Sequence, residues 1–583
     1  NLEYELPDLL DISIAPIPPK YRLRRLSLDI ETYGIVKGHP KQRFFHPKLS
    51  VRRDFVAKGS LVQTVGLTWR GTTQKVICES DFDGEKVVFT PRVLQHAIFH
   101  MDRVDHRRRL WAWIKKCRDE KGFEFLLGQN VVFDLMYLRY TYKEARILLE
   151  DPLPIMDLMI FNYLHDEGRP EKSLKALAPL FRVSKYGETH INGEYKRYDS
   201  NLSPELAQYN CQDTASTLRI AEKLELEILG FYGKGTKKLS PFCMQWYSQL
   251  LWLIVWMQEN GLRMDKPRLD ILFARNKKAL NAIMRAGHGL YDMPFRGKGS
   301  EKAKRRMMND ALSALTVQGE GIEVPEMELT DKKGEVRFSA DNRNALVDVM
   351  PHDWDEYKHL KLFGAYQDVS GVMDRYLYPL LVGGGKKHDN MASVLLDGFC
   401  YPRWFPVPSE FEDKTTGGTK QARIVAKGPP CQTFPPPVKK CIIGRFKNGW
   451  IVWFDYSQIE LRVAALLSGD QPLMQAYLDN EDLHKSTAIL MFGEDIVNHP
   501  QFKAQYRQAG KIFNFRALYR GGVKKAQKTL MKDNGILLSE AAISKIDNTF
   551  WKRHVRLRQW QDELQAFVRE RGFYELPLIG QSR

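Results

Sequence analysis

The sequence is poor in cysteine. Seven (Cys78, Cys117, Cys211, Cys243, Cys400, Cys431 and Cys441) are scattered over 583 residues, and no Cys-x-x-Cys occurs. That excludes a disulfide scaffold and a zinc ribbon and fits a reducing, cytoplasmic setting. Long apolar runs are also lacking. The most apolar, Leu250 to Met257, is too short to span a bilayer. No signal peptide is visible, so no membrane partner is expected. Acid is in deficit: 71 Asp plus Glu stand against 88 Lys plus Arg, a formal net charge of +17. Such a balance favours a polyanionic partner such as nucleic acid; the plain alternative is a solvated basic surface. The chain begins at Asn1 rather than Met, as a fragment would. Apolar content, at 43%, is ample for real cores, and the length suggests roughly three to five domains.

One stretch, Ile451 to Asp470, combines strand, acid and helix signals. The apolar run Ile451 to Phe454 predicts a buried strand with Asp455 at its end. A strand end is a rigid place for a metal ligand, although such an Asp can equally cap the helix that follows. Ile459, Val463, Leu466 and Leu467 fall on one face of that predicted helix.

Carboxylates also gather in the N-terminal third. Arg25 to Ile30 predicts a strand carrying Asp29 and Glu31, and Leu61 to Trp69 predicts a second. Acids at i and i+2 on a strand face the same side. Held that close, they cost energy unless a cation lies between them; two solvent-facing acids are the simpler reading of that pair alone. Asn130-Val-Val-Phe133-Asp134 follows the apolar stretch Phe123 to Leu127 and enters a helical pattern. Tyr209 and Asp213, four apart, share one face of a helix that continues through Leu218, Ala221 and Leu224. The basic segment His106 to Lys116, extended by Arg118, interleaves Trp111 and Trp113. It can track phosphates and stack bases; the preferred reading is an amphipathic helix with Trp111, Trp113 and Ile114 partly in the core.

Farther on, Phe231 to Lys238 reads as a Gly-containing linker. Leu250 to Asn260 predicts a buried helix stopped by Gly261. Lys302 to Leu315 is a charged helical pattern, and Leu329 to Glu335 a loop or hairpin. From Thr415 loop signals thicken towards Arg423, Pro429, Gln432 and Pro435. The most informative helix carries Arg507, Lys511, Phe515 and Tyr519, spaced by four throughout. They form one stripe, in the order cation, cation, aromatic, aromatic. That order suits a nucleoside triphosphate lying along it, phosphates at the basic end and base on the rings.

These strings resemble a known family. Asp455-Tyr-Ser-Gln-Ile-Glu-Leu-Arg462 resembles motif A of the family A DNA polymerases, and Arg507 to Tyr519 resembles motif B, the O helix of the fingers. Asp-x-Glu, Asn-x-x-Phe-Asp and Tyr-x-x-x-Asp, in that order, resemble the motifs of the DEDD 3′–5′ exonucleases. The resemblance implies an α/β multidomain chain, with an RNase H-like exonuclease domain followed by a right-hand polymerase of helical thumb, β-sheet palm and helical fingers. The corresponding spans are 1–228 for the exonuclease, 229–390 for linker and thumb, 391–470 for the first part of the palm, and 471–583 for fingers and the return to the palm.

By the same resemblance, Asp29, Glu31, Asp134 and Asp213 hold two divalent ions and Tyr209 orients the attacking water. Oxygen-only ligands suit Mg²⁺, with Mn²⁺ substituting. Asp455 and Tyr456 belong to a second metal site. Gln458, Glu460, His484, Arg507, Lys511, Phe515 and Tyr519 bind the nucleotide, with Lys511 donating a proton to the leaving pyrophosphate and Glu460 blocking a ribose 2′-OH. Arg423, Gln432 and Arg462 contact DNA, Arg423 through the minor-groove edge of the primer terminus. The implied partners are primer-template DNA and dNTPs, with a C-terminal polymerase fragment or a processivity factor besides. An arrangement without a 5′-nuclease domain before the exonuclease is expected, which resembles a phage-type enzyme. The alternative is a stand-alone exonuclease whose polymerase part serves as a DNA clamp.

Three departures stand out. Gln421-Ala422 replace the Thr-Gly before the arginine, and Arg516 and Arg520 stand where the family usually has glycine. Those arginines are expected either to grip template phosphates or to disturb fidelity. Gly572 to Arg583 resembles the stretch before the rest of the palm, and no His-Asp-Glu of motif C follows it. The palm is therefore expected to be incomplete and primer extension by this chain alone to be weak.

Overall fold

The computed structural model describes residues 25–32, 62–70, 75–78, 86–89, 94–101, 103–119, 125–146, 154–166, 173–183, 204–229, 241–291, 300–322, 324–325, 327, 336, 339–382, 395–406, 423–536, 538–572, 574–576 and 580–582. The fold is mixed α/β and mostly helical. It divides into two compact units, 1–451 and 452–583. The predicted linker 231–238 and the predicted loop 329–335 lie outside the described residues.

The first unit is built on a five-stranded sheet. Its centre is β1 (Arg25–Thr32). One edge of β1 pairs antiparallel with β2 (Val62–Arg70), which pairs antiparallel with β3 (Leu94–His100). The other edge pairs parallel with β4 (Phe125–Gly128), which pairs parallel with β5 (Ile155–Asp157). Leu26, Leu28 and Ile30 are buried on one face of β1, and Ser27 and Glu31 on the other. A strand paired on both edges and covered on both faces is the most rigid position a sheet offers. Helix α1 (Val104–Asp119) carries the basic, Trp-containing segment, and Trp111, Trp113 and Ile114 are all buried. The amphipathic-helix reading holds.

Two local devices fix the helices on this sheet. Asn130 is left-handed (φ 61°) and its side chain caps nothing. The start of α2 (Val131–Thr141) is held by Asp157 instead. Its Oδ1 accepts from Asn130 N (3.1 Å) and from Met159 N (2.9 Å), and its Oδ2 from Val131 N (2.9 Å). One buried carboxylate therefore satisfies the orphan N–H groups of α2 and of α3 (Leu158–His165) together. Second, α4 (Pro204–Leu229) lies against β2 where Gly66 has no side chain. A Cβ there would sit 1.5 Å from Asn210 Oδ1.

The rest of this unit is largely helical. Helix α5 (Pro241–Asn260) stops at Gly261, whose φ of 63° ends it as expected. Near its end Glu259 takes a forked pair from Arg139 of α2, at 2.7 and 3.1 Å. The charged pattern at 302–315 lies within a helix, Ser300–Gln318, whose Met307, Met308, Ala311 and Leu315 face the core.

The second unit packs α6 (Ile459–Ser468), α7 (Gln471–Leu478), α8 (Leu483–Phe492), α9 (Arg507–Leu518), α10 (Val523–Asn534), α11 (Glu540–Arg553) and α12 (Val555–Arg571). Asp470, fully buried, caps α7 through Leu473 N and meets His554 Nδ1 at 2.9 Å and Leu557 N at 3.1 Å. Two expectations are corrected here. Residues 451–454 form no strand, and Val452, Trp453 and Phe454 are 77%, 71% and 87% exposed. No neighbouring strand among the described residues offers its edge, and a lone strand has nothing to hydrogen-bond. The predicted inner face of α6 is also outward. Ile459, Val463, Leu466 and Leu467 are exposed, while Leu461, Ala464 and Ala465 are buried. The helix is apolar around most of its girdle, so the sequence supports either face. Among the described residues no helix is long and apolar enough to cross a membrane.

Candidate nuclease and nucleotide sites

In the first unit, Asp29 and Glu31 project from the same side of β1 at the level of Gly66 and Thr64 of β2. The pairing register shifts immediately after Glu31. Asp213 comes from α4, and carboxylate oxygens of all three lie within 4.8 Å of one another. An oxygen-only cluster of this size fits a hard divalent cation such as Mg²⁺ or Mn²⁺. Three of the four expected ligands are thus together. Asp134 is buried, and its Oδ1 accepts from Ile30 N at 3.0 Å. Burial first, then the charges of Asp157 and Glu31, push its carboxyl well above the usual range. Tyr209 is raised by burial and then by Asp213, Glu31 and Asp29. Its hydroxyl stays protonated and is hydrogen-bonded to Asp213.

Sequence reasoning missed the polar seam behind this cluster. Thr68 Oγ1 lies 2.7 Å from both Thr214 Oγ1 and His96 Nδ1, and Asn210 Nδ2 donates to Thr64 Oγ1 at 3.4 Å. Thr64, Gly66 and Thr68 alternate along β2, a row of small residues able to receive a helix. That signal was available. The role of Asp157 at the start of α2 had no comparable signal, because those partners are backbone groups 26 and 27 residues away.

Elsewhere in this unit, Arg423 is exposed. Gln432 turns its amide to its own hairpin, accepting from Ala426 N and donating to Ile424 O, both at 2.9 Å. That amide shapes the turn towards Pro435.

In the second unit the predicted stripe lies on α9. Lys511 Nζ is 5.9 Å from the Phe515 ring centre, and Phe515 stacks on Tyr519 at 6.3 Å with an 11° tilt. Tyr519 donates to Glu460 Oε2 at 2.7 Å, joining motif A to motif B. Arg507 forms a forked pair with Asp482, at 2.6 and 3.2 Å. His484, expected at the phosphates, is 3% exposed. Its Nδ1 lies 3.0 Å from Asn514 Nδ2, and its ring is 6.1 Å from that of Phe515. Burial, then the charge of Arg507, lowers its pKa to about 4, so the ring is neutral at pH 7. Helices α8 and α9 approach closely because residue 510 is glycine; a Cβ there would be 2.3 Å from His484 O.

Asp455 and Tyr456 are exposed on the unpaired segment. Gln458 is left-handed (φ 54°) at the start of α6 and accepts from Tyr477 OH at 3.4 Å. Arg462 donates to Ser457 O at 2.8 Å and lies over the Tyr477 ring at 4.3 Å, so it braces the motif. The two arginines that stand where the family usually has glycine have different surroundings. Arg516 is almost buried, pairs with Asp547, lies over Phe513 and donates to Gly521 O at 3.1 Å. It is built into this unit's core and is not displayed for a template. Arg520 adopts φ 54°, a conformation that favours glycine, and its Nη1 lies 2.7 Å from Asp562.

Comparison with known proteins gives this geometry a context. The fold is similar to that of a solved polymerase domain, the POL domain of Pol1 from M. smegmatis in complex with DNA primer-template and dNTP. The TM-score is 0.60 at 15% identity, covering 89% of this chain and 75% of that one. Residues 412–583 match DNA polymerase family A. DNA polymerase I of Thermus filiformis is 24% identical over 446 residues, 76% of this chain and 46% of that protein. DNA polymerase I of Helicobacter pylori is 23% identical over 426 residues, 70% of this chain and 41% of that protein. The chain thus spans less than half the length of either relative.

Proposed function

We propose that this chain performs template-directed DNA synthesis with 3′–5′ proofreading in DNA replication, as a phage-type polymerase acting in a bacterial cytoplasm. The observation that carries the synthetic half is the stripe on α9 with its aromatic end bonded to motif A. Arg507 and Lys511 neutralise the triphosphate, and Lys511 supplies a proton to the leaving pyrophosphate. Phe515 offers a flat face to the incoming base and Tyr519 a second face beside the templating base. Because Tyr519 OH fixes the Glu460 carboxylate, that acid stands in a set place to exclude a ribose 2′-OH. Asp455 and Tyr456 would hold a divalent ion for synthesis.

The carboxylate cluster on β1 and α4 supports the proofreading half. Asp29, Glu31 and Asp213 would hold Mg²⁺, with Asp134 joining them once its carboxyl ionises. Divalent ions, two at each site, would supply charge stabilisation to the attacking and leaving oxygens when bound. Tyr209, protonated and anchored to Asp213, orients the attacking water. Primer-template DNA and dNTPs are the proposed partners, consistent with the net charge of +17. Arg423 would contact the minor-groove edge of a primer terminus, and a polymerase fragment supplied in trans or a processivity factor would complete the assembly.

The test pairs two assays on the whole chain. Mg²⁺-dependent degradation of single-stranded DNA from its 3′ end is expected, and Asp29→Ala is expected to abolish it. A wild-type chain without Mg²⁺-dependent degradation would remove the proofreading half. The exposure of Asp455 on an unpaired segment favours a second reading, an exonuclease with a DNA-clamping polymerase part. Supplying a C-terminal polymerase fragment and measuring primer extension separates the two, since restored synthesis fits only the first.

A further inference from the structure

Asp482 serves two partners at the basic end of the stripe. Its Oδ1 accepts from His484 N at 3.1 Å and Lys485 N at 3.3 Å, capping α8. The same carboxylate fills the fork of Arg507, with Nε on Oδ2 at 2.6 Å and Nη2 on Oδ1 at 3.2 Å. Both side chains are about one third exposed (33% and 35%), so the pair borders solvent and can open. A guanidinium binds carboxylate and phosphate through the same planar pair of N–H groups. An arriving triphosphate therefore meets an Arg507 that is already engaged.

We propose that Asp482 is a positioning residue: it occupies Arg507 as an internal stand-in for phosphate and is displaced by an incoming triphosphate. The inference rests on the nucleotide reading of the stripe. It has a consequence for affinity. Any phosphate that takes the Arg507 fork must first displace the carboxylate, so the closed pair weakens binding by the cost of opening it. Lys511, one turn along, adds the second cation that a longer phosphate chain can reach.

The decisive variant is Asp482→Asn. Asparagine caps a helix about as well as aspartate, so α8 keeps its start while the fork loses its charged partner. Binding of dATP and of inorganic tripolyphosphate is measured by calorimetry on the whole chain, with melting temperature as the control on folding. Asp482→Asn is expected to tighten both ligands by roughly tenfold, and 0.5 M salt to shrink the gain. It is expected to tighten inorganic monophosphate as well, because the same carboxylate is displaced. The gain should vanish in Asp482→Asn combined with Arg507→Ala. Unchanged or weaker binding in Asp482→Asn, with Arg507→Ala alone still losing affinity, overturns the inference and leaves the nucleotide reading standing. If Arg507→Ala binds triphosphate as the wild type does, the nucleotide reading falls and the inference with it.

Discussion

Asp29 and Asp455 belong to similar stretches of sequence and occupy opposite surroundings. Asp29 follows Leu26 and Leu28 on a strand paired along both edges, with those leucines fully buried. Asp455 follows Val452, Trp453 and Phe454 on a segment without a ladder, with those residues mostly in water. Both runs announce the same demand for burial. Among the described residues, only the first has strands beside it to meet that demand. An apolar run ending in an acid therefore states what a segment requires, while its partners decide whether a metal-binding geometry is formed. Where they are present, Glu31 and Asp213 converge on Asp29.

The sharpest way to break the comparison is through chemistry. Asp213→Ala should reduce Mg²⁺-dependent 3′ degradation by at least about a thousandfold, read by gel assay of an end-labelled oligonucleotide. A fall of only a fewfold would mean that the cluster is an ordinary acidic patch. Packing gives the next effect. Leu28→Ala should cost about 3 kcal/mol, because it opens a cavity beside a central strand; urea unfolding monitored by circular dichroism measures it.

Acid should weaken the second unit by roughly 2 kcal/mol by pH 5. His484 has a folded pKa of about 4 against an ordinary value of 6.5. As pH falls through that window the unfolded chain takes up the proton first. The contribution is therefore complete above pH 6.5 and is lost on the way down to about pH 4. Chemical denaturation at stepped pH should show the loss, and His484→Gln should flatten it. His96 of the sheet, also lowered to about 4 by burial and by Arg219, carries the same sign in the first unit.

Gly510→Ala should cost about 1–3 kcal/mol by forcing α8 from α9, with reduced triphosphate affinity as the accompanying readout. The smallest effect sharpens the contrast best. Phe454→Ala should change stability by less than about 0.5 kcal/mol, since that ring has little packing to lose. A cost near that of Leu28→Ala would show that the 451–455 segment is buried in solution.

Much of the site was legible because it depends on local spacing. The i, i+2 acids on β1, the four-residue rhythm from Arg507 to Tyr519 and the tryptophans of α1 follow directly from strand and helix periods. What escaped depends on partners distant in sequence. Nothing near His484 discloses that Asn514 and Gly510 draw it inside, and nothing near Gln432 shows that both ends of its amide close on residues 424 and 426. Arg516 is the clearest case. A cation on the exposed-looking part of a helix is readily assigned to a polyanion, yet Asp547 and the Phe513 ring bring it into the core.

The unpaired segment also has an optical consequence. Trp450 and Trp453 are 90% and 71% exposed, more than Trp246 (42%) and Trp256 (58%), whereas Trp69, Trp111, Trp113 and Trp252 are each below 9%. Hydrated indoles emit to the red and are quenched by dissolved iodide, while buried ones emit to the blue and are shielded. The residues leading to Asp455 thus carry their own fluorophores. Any strand, polypeptide or nucleic acid that covers them would announce itself as a blue shift and a loss of quenching, without a label.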